Sequence, residues 1–347
     1  MGSMRLYLNL IFLALLPVAG LFFLFTSGSG SMWLIFPLLL LLITAALVTV
    51  AWLMVYKIKK RDTGKIEPVP ETLLIVAPHQ DDCVGMAGGL AIETIARGGK
   101  VVILYLTDGP ENDKKTRREE AIRAWKTGTG DNAELIFLTH HTLTAFVSNQ
   151  EVQQGINEIG ETILKTRPDT IVVPLYEGGH YQHDIANFMV TRALERHEYR
   201  ARVLEAPLYN FLLSATYSPE KVLSALFRLI PFQTYHYSPE PVTSGRLYYP
   251  AMSKESLLIK RKMLGQFTTQ NPDSLIERFG FIDRFQYMHT YDYSKRPFSY
   301  EKSVAGCVDR CKNLPVIGFP AKKMMIWTRT IHPDPEVRMT SIPREQL

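Results

Sequence analysis

Pro78-His79-Gln80-Asp81-Asp82 places one imidazole and two adjacent carboxylates directly after the apolar run Leu73-Leu74-Ile75-Val76-Ala77. That run has the length and β-branched content of a buried strand. Far along the chain, Ile171-Val172-Val173-Pro174-Leu175 reads as another, followed by Gly178-Gly179-His180-Tyr181-Gln182-His183-Asp184. Open α/β sheets hold ligands at the carboxyl ends of their strands. Two His/Asp clusters that each leave a strand therefore form a metal-site constellation.

A hydrolytic metal centre needs three protein ligands and an open position, and its cation acidifies water and polarises a carbonyl under attack. His79, Asp82 and His183 supply two nitrogens and one oxygen for Zn2+. The same two-His, one-carboxylate set also suits Fe2+. Asp81 and Asp82 are neighbours on an irregular or extended segment, so their side chains should diverge. One can bind the cation while Asp81 takes a proton from the attacking water as general base. His180, three residues before His183, shares its face if a helix begins there. Protonated, it would stabilise a tetrahedral oxyanion or protonate the leaving amine. Each residue has a plainer reading alone: an Asp as helix N-cap, a His-x-x-His on the surface. Their joint placement after two strands favours the metal. His140 and His141 also follow a strand but read as rim or surface residues.

The elements that must position these residues alternate. Strands are expected at 72–77, 101–106, 135–138 and 171–175, and helices at 86–97, 116–127, 152–166 and 184–196. This βαβ rhythm implies an α/β fold: a Rossmann-like, doubly wound, mostly parallel sheet. No G-x-G-x-x-G follows the first strand, which argues against a nucleotide site. Residues 57–71 read as a basic linker with Pro68 and Pro70. The main domain spans 72–300, and 301–347 form a C-terminal extension of no assigned structure.

Residues 1–56 differ in kind. Two uncharged apolar stretches, 6–25 and 32–56, are joined by Thr26-Ser27-Gly28-Ser29-Gly30-Ser31. Each is long enough to cross a bilayer core of roughly 30 Å. The expectation is an N-terminal transmembrane helical hairpin. A cleaved signal peptide fits less well, because Arg5 alone precedes the first stretch and cleavage would leave the second. Lys57, Lys59, Lys60 and Arg61 follow the second stretch, so the positive-inside rule places the main domain on the cytoplasmic side. The same charges would rest against anionic headgroups. A net charge of +5 over 347 residues is too mild to indicate nucleic acid. Three cysteines, Cys83, Cys307 and Cys311, give no disulfide framework.

Leu74 to Gly89 resembles the signature of the PIG-L/LmbE-like deacetylase family, usually Pro-His-Pro-Asp-Asp-Glu. Thr107-Asp108-Gly109 and Arg117-Arg118-Glu119-Glu120-Ala121 are similar to its second block, and Gly179 to Asp184 to its His-Pro-Asp-His block. Glu205 to Tyr209, Gln266 to Gln270 and Tyr291-Asp292-Tyr293 resemble its later landmarks. The likeness covers roughly residues 72 to 298. It implies zinc-dependent removal of acetyl from N-acetylglucosaminyl groups or related amides, with His79, Asp82 and His183 as ligands, Asp81 as base and His180 as electrophilic partner. It also implies that Arg117 or Arg118 hydrogen-bonds the sugar. Two positions depart from the pattern: Gln80 replaces proline, and Cys83 stands where the family has glutamate.

The hairpin points to a lipid-linked or glycolipid substrate, since a soluble amide needs no anchor. Tyr209 to Tyr237, rich in Leu, Phe and Tyr, is expected to lie in the membrane interface and wall a lipid groove. The alternative is a catalytically impaired sugar-lipid binding protein on the same fold, kept open by Cys83 and Gln80.

Overall fold

The computed structural model describes residues 62–293 apart from 110, 139–148, 177–180, 209–246, 251, 281, 289–290 and 292, together with positions 38, 41, 42, 45, 46 and 49. By internal contacts the chain divides into two units, Met1–Lys60 with Ala215–Thr234 and Arg61–Ser214 with Tyr235–Leu347. The expected first span 6–25, His140, His141, His180, the face 209–237 and the extension 301–347 lie outside the described residues. Of the second span, only those six positions are described. All six are exposed, Leu38, Leu41 and Leu42 among them. Among the described residues no helix is long and apolar enough to cross a membrane.

The second unit is built on a six-stranded sheet. Its strands are β2 (Thr72–Ala77), β3 (Lys100–Tyr105), β4 (Ala133–Phe137), β5 (Thr170–Pro174), β6 (Arg202–Ala206) and β8 (Gln286–Tyr287), in the order β4-β3-β2-β5-β6-β8. All pairs are parallel except β6 with β8. The order runs outward from β2 on one side and from β5 on the other. The switch point, where such sheets open a crevice, thus lies between β2 and β5.

Side chains alternate across β2, and the alternation builds two cores. Leu73, Ile75 and Ala77 face one layer, with helices α1 (Asp82–Ala96), α2 (Lys114–Thr129), α5 (Lys254–Leu264) and α6 (Pro272–Phe279). Leu74 and Val76 face the other, with α3 (Asn149–Thr166) and α4 (Tyr181–Arg196). Each fully buried Leu, Ile or Val among them contributes about 1.5–3 kcal/mol. Because β2, β3 and β5 are covered on both faces, they read as unbroken apolar runs.

Residues 62–67, inside the stretch read as a linker, form strand β1 (Asp62–Glu67), paired in parallel with β7 (Leu247–Pro250). The pairing supplies β1 with backbone partners despite its charged composition.

Helix α1 is broken. Ala87 has φ −141° and ψ 22°, so the hydrogen bonds of an ideal helix fail around it. A buried ion pair replaces them: Lys260 Nζ donates to Gly85 O at 3.1 Å, and Asp283 Oδ2 accepts from Leu90 N at 2.7 Å. Lys260 and Asp283 bond to each other, and both side chains are fully buried. Gly89 permits this approach, because a methyl group there would meet Asp283 Oδ2 at 2.9 Å.

Candidate metal centre

The C-terminal ends of β2 and β5 deliver the expected residues to one place. His79 sits in the turn after β2, Asp82 begins α1, and His183 lies in the first turn of α4. Asp82 Oδ2 is the meeting point: His79 Nδ1 lies 2.9 Å from it and His183 Nε2 3.1 Å. The His79 backbone N–H also donates to that oxygen, at 3.1 Å. One ligand atom from each of the three side chains lies within 4.8 Å of the others. Two imidazole nitrogens and a carboxylate oxygen so spaced fit one divalent cation.

Gln182 adds a constraint that its place in the motif does not announce. Its Oε1 contacts His79 Nε2. An amide oxygen only accepts, so Nε2 carries the proton and neutral His79 keeps its lone pair on Nδ1, facing Asp82. Metal-ligating imidazoles are usually oriented in this way by a partner on the far nitrogen.

Asp81 occupies the N-cap position of α1, yet its side chain makes no capping hydrogen bond. The plainer reading of this residue therefore lacks its defining contact. Burial, then repulsion from Asp82, lifts the Asp81 carboxyl to about 6, while His79 and Arg117 pull it down. Asp82 goes the opposite way. Burial opposes its charge, but the His183 and His79 rings hold its pKa well below the usual carboxylate range. Burial also lowers the pKa of His183; at His79 burial pulls the same way, but the charge and hydrogen bond of Asp82, together with Asp81 and Gln182, raise it on balance. Adjacent carboxylates thus acquire separate characters, one firmly ionised and one able to exchange a proton near neutral pH.

The two arginines of α2 part company. Arg117 is half-buried against the loop after β3: a methyl group on Gly109 (φ +79°) would meet its Cδ at 2.8 Å. Its charge is felt at Asp81. Arg118 is exposed and lies 4.3 Å above the Phe137 ring. Among the landmarks in the sequence, Glu120 proves structural: its carboxylate accepts from Thr268 Oγ1, Thr269 N and Thr269 Oγ1 at 2.6–2.8 Å. Glu205 is likewise buried, accepting from Asn187 Nδ2, Gln286 Nε2 and Tyr291 OH, while Tyr293 OH donates to Asn187. This network ties α4, which carries His183, to the sheet edge.

Cys83 points away from the three ligands. Its Sγ donates to Gln80 O at 3.2 Å and lies 3.1 Å from Tyr105 OH, which accepts from Trp125 Nε1. Burial pushes its thiol up to about 12, and its hydrogen bonds are to Gln80 O and Tyr105 rather than to the three ligand side chains. Gln80 replaces the stiffness of a proline with a hydrogen bond from Nε2 to Thr107 O at 2.7 Å.

Residues 74–194 match the model of the PIG-L family, described as GlcNAc-PI de-N-acetylase. No curated protein matches the chain. Similar solved structures include a deacetylase of teicoplanin biosynthesis, with 15% identity and a TM-score of 0.45, covering 64% of this chain and 99% of that one. Another is the N,N'-diacetylchitobiose deacetylase from Pyrococcus horikoshii, with 15% identity and a TM-score of 0.39, covering 63% and 84%. A conserved protein from Thermus thermophilus shows 17% identity and a TM-score of 0.42, covering 63% and 94%.

Proposed function

We propose that the chain is a zinc-dependent N-deacetylase that acts on an N-acetylglucosaminyl group carried by a membrane lipid. The supporting observation is the convergence of His79, Asp82 and His183 within 4.8 Å at the switch point of the sheet, with Asp81 beside them. The family match over 74–194 supports an amide on an N-acetylglucosaminyl sugar as the group attacked.

His79 Nδ1, Asp82 Oδ2 and His183 Nε2 would hold the cation. When bound, it supplies Lewis acidity at the acetamide carbonyl and makes water acidic enough to attack near neutral pH. Asp81, with its raised pKa, accepts the proton of the attacking water and can return it to the leaving amine. Gln182 holds His79 in the required tautomer, and Asp82 stays ionised because two imidazoles face it. Arg117, packed on Gly109, is placed to hydrogen-bond the sugar; Arg118 would contribute at the rim. His180, as the residue before α4, is assigned the oxyanion or the leaving amine.

Anchoring belongs to the same proposal. The apolar stretches 6–25 and 32–56 form the hairpin, the basic residues 57–61 face anionic lipid, and the catalytic unit lies on the cytoplasmic side. Leu38, Leu41 and Leu42 are exposed, as leucines facing lipid would be. Acetate release from short-chain and lipid-linked N-acetylglucosaminides, with and without residues 1–56, tests both halves. Zinc-stimulated release from either substrate supports the chemistry; equal turnover of both substrates by both forms would remove the lipid.

A further inference from the structure

A small cleft opens between the first turns of α1, the helix that begins at Asp82, and the end of β6. Gly85 and Met86 form one wall, Ala206 stands at another, and Arg278 and Arg284 line it as well. No carboxylate belongs to its described lining. Gly85 N donates to the backbone O of Asp81 at 3.1 Å, so the Gly85 wall lies one helical turn along the chain from Asp81. Ala206 pairs with Pro174, at the same carboxyl edge of the sheet from which the His183 segment departs.

Both arginines are held in place. Arg278 Nη2 donates to Leu208 O at 2.8 Å, and its guanidinium lies 4.9 Å from the Phe279 ring centroid. Its charge reaches His183, where it disfavours a second proton. Arg284 is only 5% exposed. Gly85 leaves bare backbone where a side chain would strike Phe279 at 3.3 Å. Two guanidinium forks around one small cleft match the oxygens of a phosphate, and partial burial strengthens the attraction.

We propose that this cleft is an anion subsite for a phosphate on the anomeric carbon of the sugar, so that the substrate is an N-acetylglucosaminyl phosphodiester. The inference rests on the deacetylase reading for the position of the sugar. On one ring the acetamide and the anomeric phosphate are neighbours, which fits a subsite one helical turn from Asp81.

The test uses the zinc-loaded full chain and three substrates. These are a short-alkyl phosphodiester of N-acetylglucosamine 1-phosphate, uncharged octyl N-acetylglucosaminide, and an N-acetylglucosaminyl inositol phosphate, whose phosphate lies beyond a second ring. Wild type is expected to favour the first by at least tenfold in kcat/KM. Arg284→Gln should reduce that preference at least tenfold, mainly through KM, and Arg284→Lys should recover part of it. Inorganic phosphate should compete with the first substrate in wild type and at least tenfold more weakly in Arg284→Gln. If Arg284→Gln does not fold, Arg284→Lys carries the test, with a preference reduced at least threefold. Equal kcat/KM for the phosphodiester and the octyl glycoside in wild type would overturn the subsite and leave the deacetylase reading standing. Preference for the inositol phosphate would overturn the anomeric placement. Acetate release from none of the three would remove the deacetylase reading. Inorganic phosphate would then be tested as a ligand directly: a raised Tm in wild type but not in the Arg284 variant supports the subsite, and no shift in wild type overturns it.

Discussion

Asp81→Asn is expected to stabilise the cation-free protein while abolishing acetate release. Burial and the Asp82 carboxylate lift the Asp81 carboxyl from 3.8 to about 6. Two units at about 1.4 kcal/mol each mean that roughly 3 kcal/mol is held against its charged form. Below about pH 4 the carboxyl is protonated both folded and unfolded, and makes no difference. Between about 4 and 6 the folded chain keeps a proton that the unfolded chain releases, so wild type loses stability as pH rises, then levels off. Asn has a similar shape and no charge. The variant should therefore match wild type near pH 4 and exceed it by up to about 3 kcal/mol at pH 7, less whatever solvent screens at a partly exposed side chain. For an unfolding unit of this size the gain corresponds to roughly 5–10 °C in Tm. Thermal unfolding of chelator-treated protein at acid and neutral pH reads the first effect, and acetate release from zinc-loaded protein reads the second. Equal Tm at pH 7, or turnover at the wild-type rate, would refute the role of Asp81 as a strained, ionised base.

Three further outcomes follow from the same geometry. The pH profile of kcat/KM should show an acid limb below about 6, because the base must be ionised and a bound dication lowers its pKa further; a profile flat down to pH 4 would exclude it. Zinc affinity should weaken as pH falls through the raised pKa of His79, with proton release on binding measurable by calorimetry in buffers of different ionisation enthalpy. Asp283→Ala leaves the Lys260 ammonium and the Leu90 amide unpaired in the core, and urea unfolding should show a loss of about 3–5 kcal/mol. A loss below about 1 kcal/mol would mean that the ion pair does not hold the broken helix.

The sequence signals were strongest where burial is two-sided. β2, β3 and β5 are apolar throughout because helices cover both faces, and their expected bounds differ from those observed by at most one residue. The convergence of His79, Asp82 and His183 was legible for a related reason: parallel strands end on one edge, so residues after β2 and β5 meet without any knowledge of the loops. α1 was expected from Met86 but starts at Asp82, since Gly85, Gly88 and Gly89 weaken the helical pattern and the Lys260–Asp283 pair compensates from distant chain. Such partners cannot be paired from spacing alone. β1 and β7 were missed because Lys65 and Gly64 do not suggest a strand; the pairing of the two segments supplies what composition lacks. α6 did carry a signal, Asn271-Pro272-Asp273, an N-cap followed by proline in the first turn. That helix brings Arg278 to the cleft.

The thiol of Cys83 has a practical use. Wholly enclosed, hydrogen-bonded to Gln80 O and titrating at about 12, it should ignore alkylating reagents while the native packing persists. Its labelling, located by mass spectrometry, would then count the openings of the helix that begins at Asp82. The position where a glutamate was expected thus becomes a sentinel, reporting from beside the candidate metal centre whenever the scaffold breathes.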